Sequence, residues 1–135
     1  MGATPIQSES TAFDGKLVQR AAMVGVAMQI TMVVIGNYVP WFRQNFYAFG
    51  CLMIAGLAGL FYAREFAKGY ARGALGGAIA GGTSGVIGIS LANILGHVAL
   101  IVLPFGAALT IFVGAIGGLF GQMAANIRKF TNMDR

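Results

Sequence analysis

The sequence predicts an all-α integral membrane protein, with four transmembrane helices arranged as two glycine-rich hairpins and with short polar tails. Of the 135 residues, 57% are hydrophobic and only 10% are charged, a composition outside the usual range of soluble domains. Three stretches carry no Asp, Glu, Lys or Arg: residues 21–42, 44–63 and 73–127. The first two are long enough for one crossing each of a hydrocarbon core about 30 Å thick, and the third is long enough for two.

The first half of the chain predicts a polar tail followed by a helical hairpin. Residues 1–16 form the tail, and the capping pattern from Thr11 to Asp14 predicts a surface helix within it. The first span covers residues 17–37, and Pro40 favours the start of a second span over residues 41–62. Aromatic residues near the span ends predict an interface belt at each end. These belts comprise Tyr38, Trp41, Phe42 and Tyr47 at one end, and Tyr62, Phe66 and Tyr70 at the other.

The second half predicts a further hairpin, which completes a membrane domain of residues 17–126 and leaves a basic C-terminal tail of residues 127–135. The third span begins near Gly73 and ends between Asn93 and His97, and the fourth covers residues 98–126. Two spans and a short turn need only about 45 residues. Either these helices tilt, therefore, or part of residues 94–103 lies in the interface. Pro104 marks either a kink or the start of the membrane-crossing part of the fourth span.

Glycines recur at every fourth position of the third span and form its most distinctive feature. Positions four apart lie along one face of a helix, so these glycines predict a shallow groove without side chains. In water each would cost roughly 1 kcal/mol relative to alanine, whereas in lipid small residues allow helices to approach closely. Another helix of this chain, a lipid or a foreign subunit would fit the groove. The predicted helix-packing residues are Gly69, Gly73, Gly77, Gly81 and Gly85, with Gly114 and Gly118 on the fourth span.

The basic residues are distributed unevenly about the predicted membrane. Of the nine, only Arg43 lies at the end that holds the first and third turns, and this bias predicts both termini and the central loop on the cytoplasmic or equivalent side. The pI of 9.9 therefore reflects topology and does not indicate nucleic-acid binding. We expect a subset to contact other membrane subunits, membrane lipids or a bound anionic phospholipid such as cardiolipin. That subset is Arg64, Lys68, Arg72, Arg128 and Lys129.

Polar residues inside the spans are few, and His97, at a predicted turn, is the only ionisable candidate for a functional group. Gln29, Thr83, Ser84 and Asn93 either bond within and between helices or line an aqueous path. The sequence contains no Cys-His pair, no paired carboxylates within reach of a pocket and no Ser-His-Asp set, so we expect no enzymatic activity, metal site or other cofactor. The single cysteine, Cys51, is expected to pack in the core.

A spaced pattern between residues 58 and 88 resembles the mitochondrial inner-membrane translocase superfamily. The positions that match the family motif are Ala58, Phe61, Arg72 and Gly88. At three further positions the chain departs from the motif, since Gly76 replaces an aspartate, Thr83 a small residue and Ser84 a glycine. Losing the aspartate removes the most distinctive group of the motif.

The resemblance implies a place among channel-forming subunits of the presequence and carrier translocases, or beside a four-span accessory subunit of respiratory complex I. It also implies termini and a central loop in the intermembrane space, against a simple positive-inside reading. We therefore expect a non-catalytic accessory subunit of a larger, respiratory membrane complex in the mitochondrial inner membrane. The alternatives are a translocase channel component or small homo-oligomeric pore, and a location in a bacterial inner membrane.

Overall fold

The computed structural model describes residues 15–134, which form four α-helices. These are α1 (Gly15–Tyr38), α2 (Pro40–Phe66), α3 (Tyr70–Ile94) and α4 (Val102–Met133). All four are long and apolar enough to cross a membrane, which confirms the predicted number of spanning helices. The predicted surface helix near Thr11 lies outside the described residues.

Two short turns join the first three helices. Only Val39 separates α1 from α2, and Pro40 occupies the first position of α2, where its missing N–H group costs no helical hydrogen bond. At the far end of α2, Ala67 adopts a left-handed conformation with φ of 52°, and its N–H group donates to the Ala63 carbonyl oxygen at 2.9 Å. This arrangement ends α2 and reverses the chain into α3.

The connection between α3 and α4 corrects the predicted start of the fourth span. Residues 95–101 form turns instead of helix, and α4 begins at Val102. The side-chain amide of Asn93 donates to the Val98 carbonyl oxygen at 2.9 Å, and Gly96 takes a positive φ of 72°. Pro104 therefore lies in the first turn of α4, where no helical N–H group is needed, and marks the start of the helix. Helix α4 continues to Met133, so residues 127–133 extend the fourth helix beyond the expected boundary at 126.

The four helices pack with α2 and α3 at the centre. These two contact each other, and each also contacts α1 on one side and α4 on the other. Within the described residues, the backbones of α1 and α4 do not approach one another. The two outer helices therefore lie at opposite corners of the bundle, separated by the central pair.

Both predicted aromatic belts are partly wrong. Tyr38 and Trp41 of the first belt are 79% and 64% exposed, as a belt position requires, whereas Tyr47 of the same belt is buried. In the second belt Phe66 is buried and the side chain of Tyr62 is fully buried. The Tyr62 ring lies directly against Gly76 of α3, where any side chain would overlap it, and stacks on Phe66 with 5.1 Å between ring centroids. Because Gly76 has no side chain, the Tyr62 ring occupies that space and is buried in the core.

Candidate functional site

Helix α4 fills the glycine groove of α3. A Cβ atom placed on Gly77 would lie 2.5 Å from the Gly114 carbonyl oxygen, and one on Gly81 would lie 2.7 Å from the Gly114 Cα atom. A Cβ atom on Gly118 would overlap the carbonyl group of Gly73. The two backbones are thus in direct contact along two helical turns, with no room for a side chain. The sequence allowed a helix of this chain, a lipid or a foreign subunit in the groove, and in the structure the groove holds a helix of this chain.

The same face of α4 also packs against α2. A Cβ atom on Gly59 would overlap the Gly114 carbonyl group, and one on Gly117 would overlap the Gly56 carbonyl group. Gly121 approaches the Leu60 carbonyl oxygen in the same way. We call this three-helix contact between α2, α3 and α4 the glycine seam. Sequence reasoning found its α3 side but not its α2 side, although glycines spaced by three and four on α4 carried a signal for two partners.

Two predicted packing glycines differ from the rest. Gly85 meets the side chain of Thr110 instead of a backbone, so that the seam widens towards the α3–α4 connection. Gly69 lies before α3, and no atom outside its immediate neighbours would touch a Cβ placed there. Its prediction as a packing residue is therefore wrong. The turn requires glycine at position 69 because of the backbone conformation there, since φ of 119° and ψ of 155° fall in a region that essentially only glycine adopts.

A polar clamp of four residues fastens the end of α4 to the α2–α3 turn. The Gly69 N–H group donates to Gln122 Oε1 at 3.1 Å, and Gln122 Nε2 donates to Asn126 Oδ1 at 2.9 Å. Asn126 Nδ2 then donates to the Tyr70 hydroxyl at 3.2 Å. Because Gln122 is almost fully buried, its amide depends on these partners to avoid the cost of an unpaired polar group. The residues lie far apart in sequence, so no local pattern indicates the clamp.

The predicted lipid- or partner-binding cations lie at the end of the bundle that holds the clamp. Lys129 Nζ donates to the Ala67 carbonyl oxygen at 3.3 Å, and Lys68 Nζ lies 5.7 Å from the centre of the Phe66 ring. Both lysines therefore make contacts within the bundle. The remaining three cations are Arg64, Arg72 and Arg128. None of them forms an ion pair among residues 15–134, and each has a side chain that is at least partly exposed to lipid or protein. We call this end of the bundle the basic end.

The four residues proposed to line a polar path do not form one surface. Gln29 and Ser84 are fully buried in the contact between α1 and α3, while Thr83 is exposed on the outside. Asn93 lies near the α3–α4 connection, where its amide bonds to that connection. Ser84 Oγ donates back to the Gly81 carbonyl oxygen at 3.0 Å, which satisfies it within its own helix. In this arrangement the residues do not make a continuous aqueous path.

Gln29 connects all three helices on the α1 side. Its Nε2 atom donates to the Cys51 carbonyl oxygen at 3.1 Å and lies 3.3 Å from the Cys51 Sγ atom. A Cβ atom on Gly88 would lie 2.8 Å from the Gln29 side-chain oxygen, so only glycine on α3 leaves room for this amide. Among residues 15–134, Gln29 Oε1 is buried without a hydrogen-bond partner. Cys51 thus packs in the core, as expected, and also supplies the acceptor for Gln29.

At the other end of the bundle, His97 lies in the α3–α4 connection, as its predicted turn position requires. Its Nε2 atom lies 3.3 Å from Asn37 Oδ1. This contact ties the connection to the end of α1. Among residues 15–134, no three His, Cys, Asp or Glu side chains come together to hold a metal ion.

The four residues that match the translocase motif occupy unlike environments. Ala58 is buried, and its Cβ atom would lie 3.1 Å from one placed on Gly25. Gly88 lies beneath Gln29, whereas Phe61 is exposed and Arg72 is partly exposed. The motif positions therefore do not converge on one site. Comparison with protein-family models, with curated proteins and with solved structures finds no match to this chain.

Proposed function

We propose that this protein is a non-catalytic, structural subunit of a larger membrane complex. The observation that supports the proposal most strongly is the glycine seam, in which α4 lies so close to α2 and α3 that backbone meets backbone. Such contact gives the bundle a dense interior that resists deformation. In the proposed architecture, two glycine-rich hairpins meet at this seam and form a rigid unit within the assembly.

The outer surface of the bundle provides the area for partners. Helix α4 turns its glycines inward and exposes large apolar side chains, including Phe105, Phe112 and Phe120, on the side away from the seam. In the proposed role, transmembrane helices of other subunits and membrane lipids cover such surfaces, and the arginines of the basic end contact anionic lipid such as cardiolipin or a partner loop. The motif resemblance supports a respiratory complex of the mitochondrial inner membrane, and a bacterial inner membrane is the alternative location.

Native electrophoresis after extraction in a mild detergent tests this proposal. We expect the protein to migrate in a large heteromeric band, and its deletion to weaken that assembly while the chemistry of the complex persists. A small band containing only this chain would contradict the proposal. The variant Gly77→Leu tests whether the glycine seam is needed for assembly. We expect this variant to be lost from the large band. An unchanged band would show that assembly does not depend on the seam.

A second candidate function is a channel component or a homo-oligomeric pore. The observation that favours it is the unpaired oxygen of Gln29, buried beside Ser84 in the contact between α1 and α3. If α1 moved away from α3, these two groups would face a polar opening. Ion flux through liposomes containing the pure protein tests this candidate: sustained flux that Gln29→Leu abolishes would support it, and absence of flux would count against it.

A further inference from the structure

A groove between α1 and α2 opens on the bundle surface at the basic end. Its volume is about 450 Å³, within the range of sites for small ligands. The groove lies between the first turns of α1 and the last turns of α2. The residues that line it are Leu17, Arg20, Ala21, Val24, Phe61 and Glu65.

The groove combines an apolar floor with two opposite charges. Arg20 belongs to α1 and Glu65 to α2, and both are exposed. Within residues 15–134, neither side chain forms a hydrogen bond or an ion pair, although they line the same groove. The two charged side chains therefore line a common space without bonding to each other.

The position of the groove relative to the membrane places its charged part above its apolar part. Val24 lies one helical turn beyond Arg20 along α1, about 6 Å deeper, and Phe61 lies one turn deeper than Glu65 along α2. Charged side chains at span ends lie at the interface, where headgroups are, and the next turn lies in hydrocarbon. A ligand that fits must carry charge at its outer end and an apolar chain beneath it.

The pair of charges specifies the headgroup. A phosphate group accepts hydrogen bonds from the guanidinium group of Arg20 in a two-point geometry, and a primary ammonium group donates to the carboxylate of Glu65. A headgroup with only negative charge would bring that charge close to Glu65, and a quaternary ammonium group has no N–H to donate. Phosphatidylethanolamine has the matching arrangement, with an acyl chain to cover Val24 and Phe61.

We propose that the groove between α1 and α2 is a binding site for one phosphatidylethanolamine molecule, with its phosphate on Arg20, its ammonium on Glu65 and an acyl chain between the helices. This site is separate from the cations expected to contact anionic lipid. It does not depend on the proposed role as a subunit, since the groove belongs to the isolated bundle.

Native mass spectrometry of the full chain, released from detergent micelles with added lipid, tests the site. The lipids are phosphatidylethanolamine, phosphatidylcholine and phosphatidylglycerol with identical acyl chains. We expect one phosphatidylethanolamine bound in the groove per chain, roughly fivefold tighter than phosphatidylcholine, because its ammonium group adds a charge-assisted hydrogen bond of about 1 kcal/mol. Equal binding of phosphatidylethanolamine and phosphatidylcholine would overturn the proposal.

Substitutions of the two charged residues separate the parts of the headgroup. Glu65→Leu, which removes both the charge and the hydrogen-bond acceptor, should lower phosphatidylethanolamine binding to the level of phosphatidylcholine in the same variant and leave phosphatidylglycerol binding undiminished. Arg20→Gln should weaken all three lipids roughly fivefold, because all three carry the phosphate. Arg43→Gln is the control, because it removes a positive charge outside the groove and outside the set of cations expected to contact anionic lipid, and it should leave the preference for phosphatidylethanolamine unchanged. A retained preference for phosphatidylethanolamine over phosphatidylcholine in Glu65→Leu would overturn the assignment of the ammonium contact.

A pair of substitutions on α1 tests the apolar part. Val24 lines the groove and Val34 does not, and the two side chains are 46% and 48% exposed. Val24→Phe should fill the groove and abolish stoichiometric lipid binding, whereas Val34→Phe should retain it. Circular dichroism confirms that each variant is folded, and the charge variants decide the matter if Val24→Phe does not fold. Binding retained in a folded Val24→Phe variant would contradict the proposal.

Discussion

Gly77 of α3 and Gly114 of α4 exclude side chains from each other reciprocally. A Cβ atom on either glycine would lie 2.5 Å from the carbonyl oxygen of the other. The contact is therefore made by main-chain atoms on both sides, and it fixes the separation of the two helices. Neighbouring glycines on α2 extend the same contact, so that one face of α4 is held by two helices at once.

Substitution of Gly77 by alanine should destabilise the bundle by about 1–3 kcal/mol, because the added methyl group must push two backbones apart. The same change at Gly15 is the matched control, since within residues 15–134 no atom outside its chain neighbours and its own helix backbone lies within 4 Å of a Cβ placed there. Thermal unfolding in detergent, followed by circular dichroism, measures the difference. Equal melting temperatures for the two variants would contradict the close packing of α3 and α4.

Substitution of Gly69 by alanine should destabilise the α2–α3 turn by about 1–3 kcal/mol, because its backbone conformation is strained for any residue with a side chain. No clash contributes, since the space around Gly69 is open. Hydrogen exchange should increase in the turn and at the end of α4, which the clamp connects. Exchange that is unchanged at both places would show that the backbone of residue 69 differs from that described.

Replacement of Gln122 by leucine should lower stability by about 1 kcal/mol, the scale of one interhelical hydrogen bond in a membrane protein. It removes the acceptor for Gly69 and the donor to Asn126. Thr131→Val is the control, because that hydroxyl bonds only to a carbonyl of its own helix. If both variants unfold at the wild-type temperature, the clamp does not hold the end of α4.

Two substitutions of Gln29 test whether this buried amide is surrounded by packed helices or is reached by water. Gln29→Leu should change stability by less than about 1 kcal/mol, because the lost bond to Cys51 is offset by removal of an unpaired oxygen. Gln29→Glu should cost about 3 kcal/mol, since it introduces an acid within a membrane-spanning helix. Denaturation in mixed micelles compares the two. A Glu variant as stable as wild type would indicate that water reaches Gln29 and would favour the pore.

The sequence predicted the number of helices well, because charge-free stretches and hydrophobic length depend on the bilayer and need no knowledge of packing. It predicted the connection after α3 less well, since apolar residues such as Leu95, Leu100 and Ile101 raise hydropathy whether or not they are helical. The turn after residues 93–97 was predicted, and only the structure shows that the connection continues to residue 101 and that α4 begins at Val102.

Partners across helix contacts were not predictable from the sequence for a physical reason. A glycine every fourth residue defines a face of α3 but carries no information on which helix meets it. Tyr62 was assigned to the membrane interface because it lies near a span end, and its burial depends on Gly76 of a different helix. Likewise, the bond from Gly69 to Gln122 joins residues 53 positions apart.

Disulfide formation between α3 and α4 tests the central claim, that α4 of the same chain fills the glycine groove of α3. A Cβ atom on Gly82 would lie 3.7 Å from the Cβ atom of Ile111, close to the mean separation in disulfides. In a Cys51→Ala background, Gly82→Cys combined with Ile111→Cys should form an internal disulfide in a monomeric chain, seen by mass spectrometry and on non-reducing gels. Met23→Cys with Ile111→Cys should not, because α1 and α4 lie apart. A disulfide-linked dimer, or no disulfide in the first pair, would contradict the account.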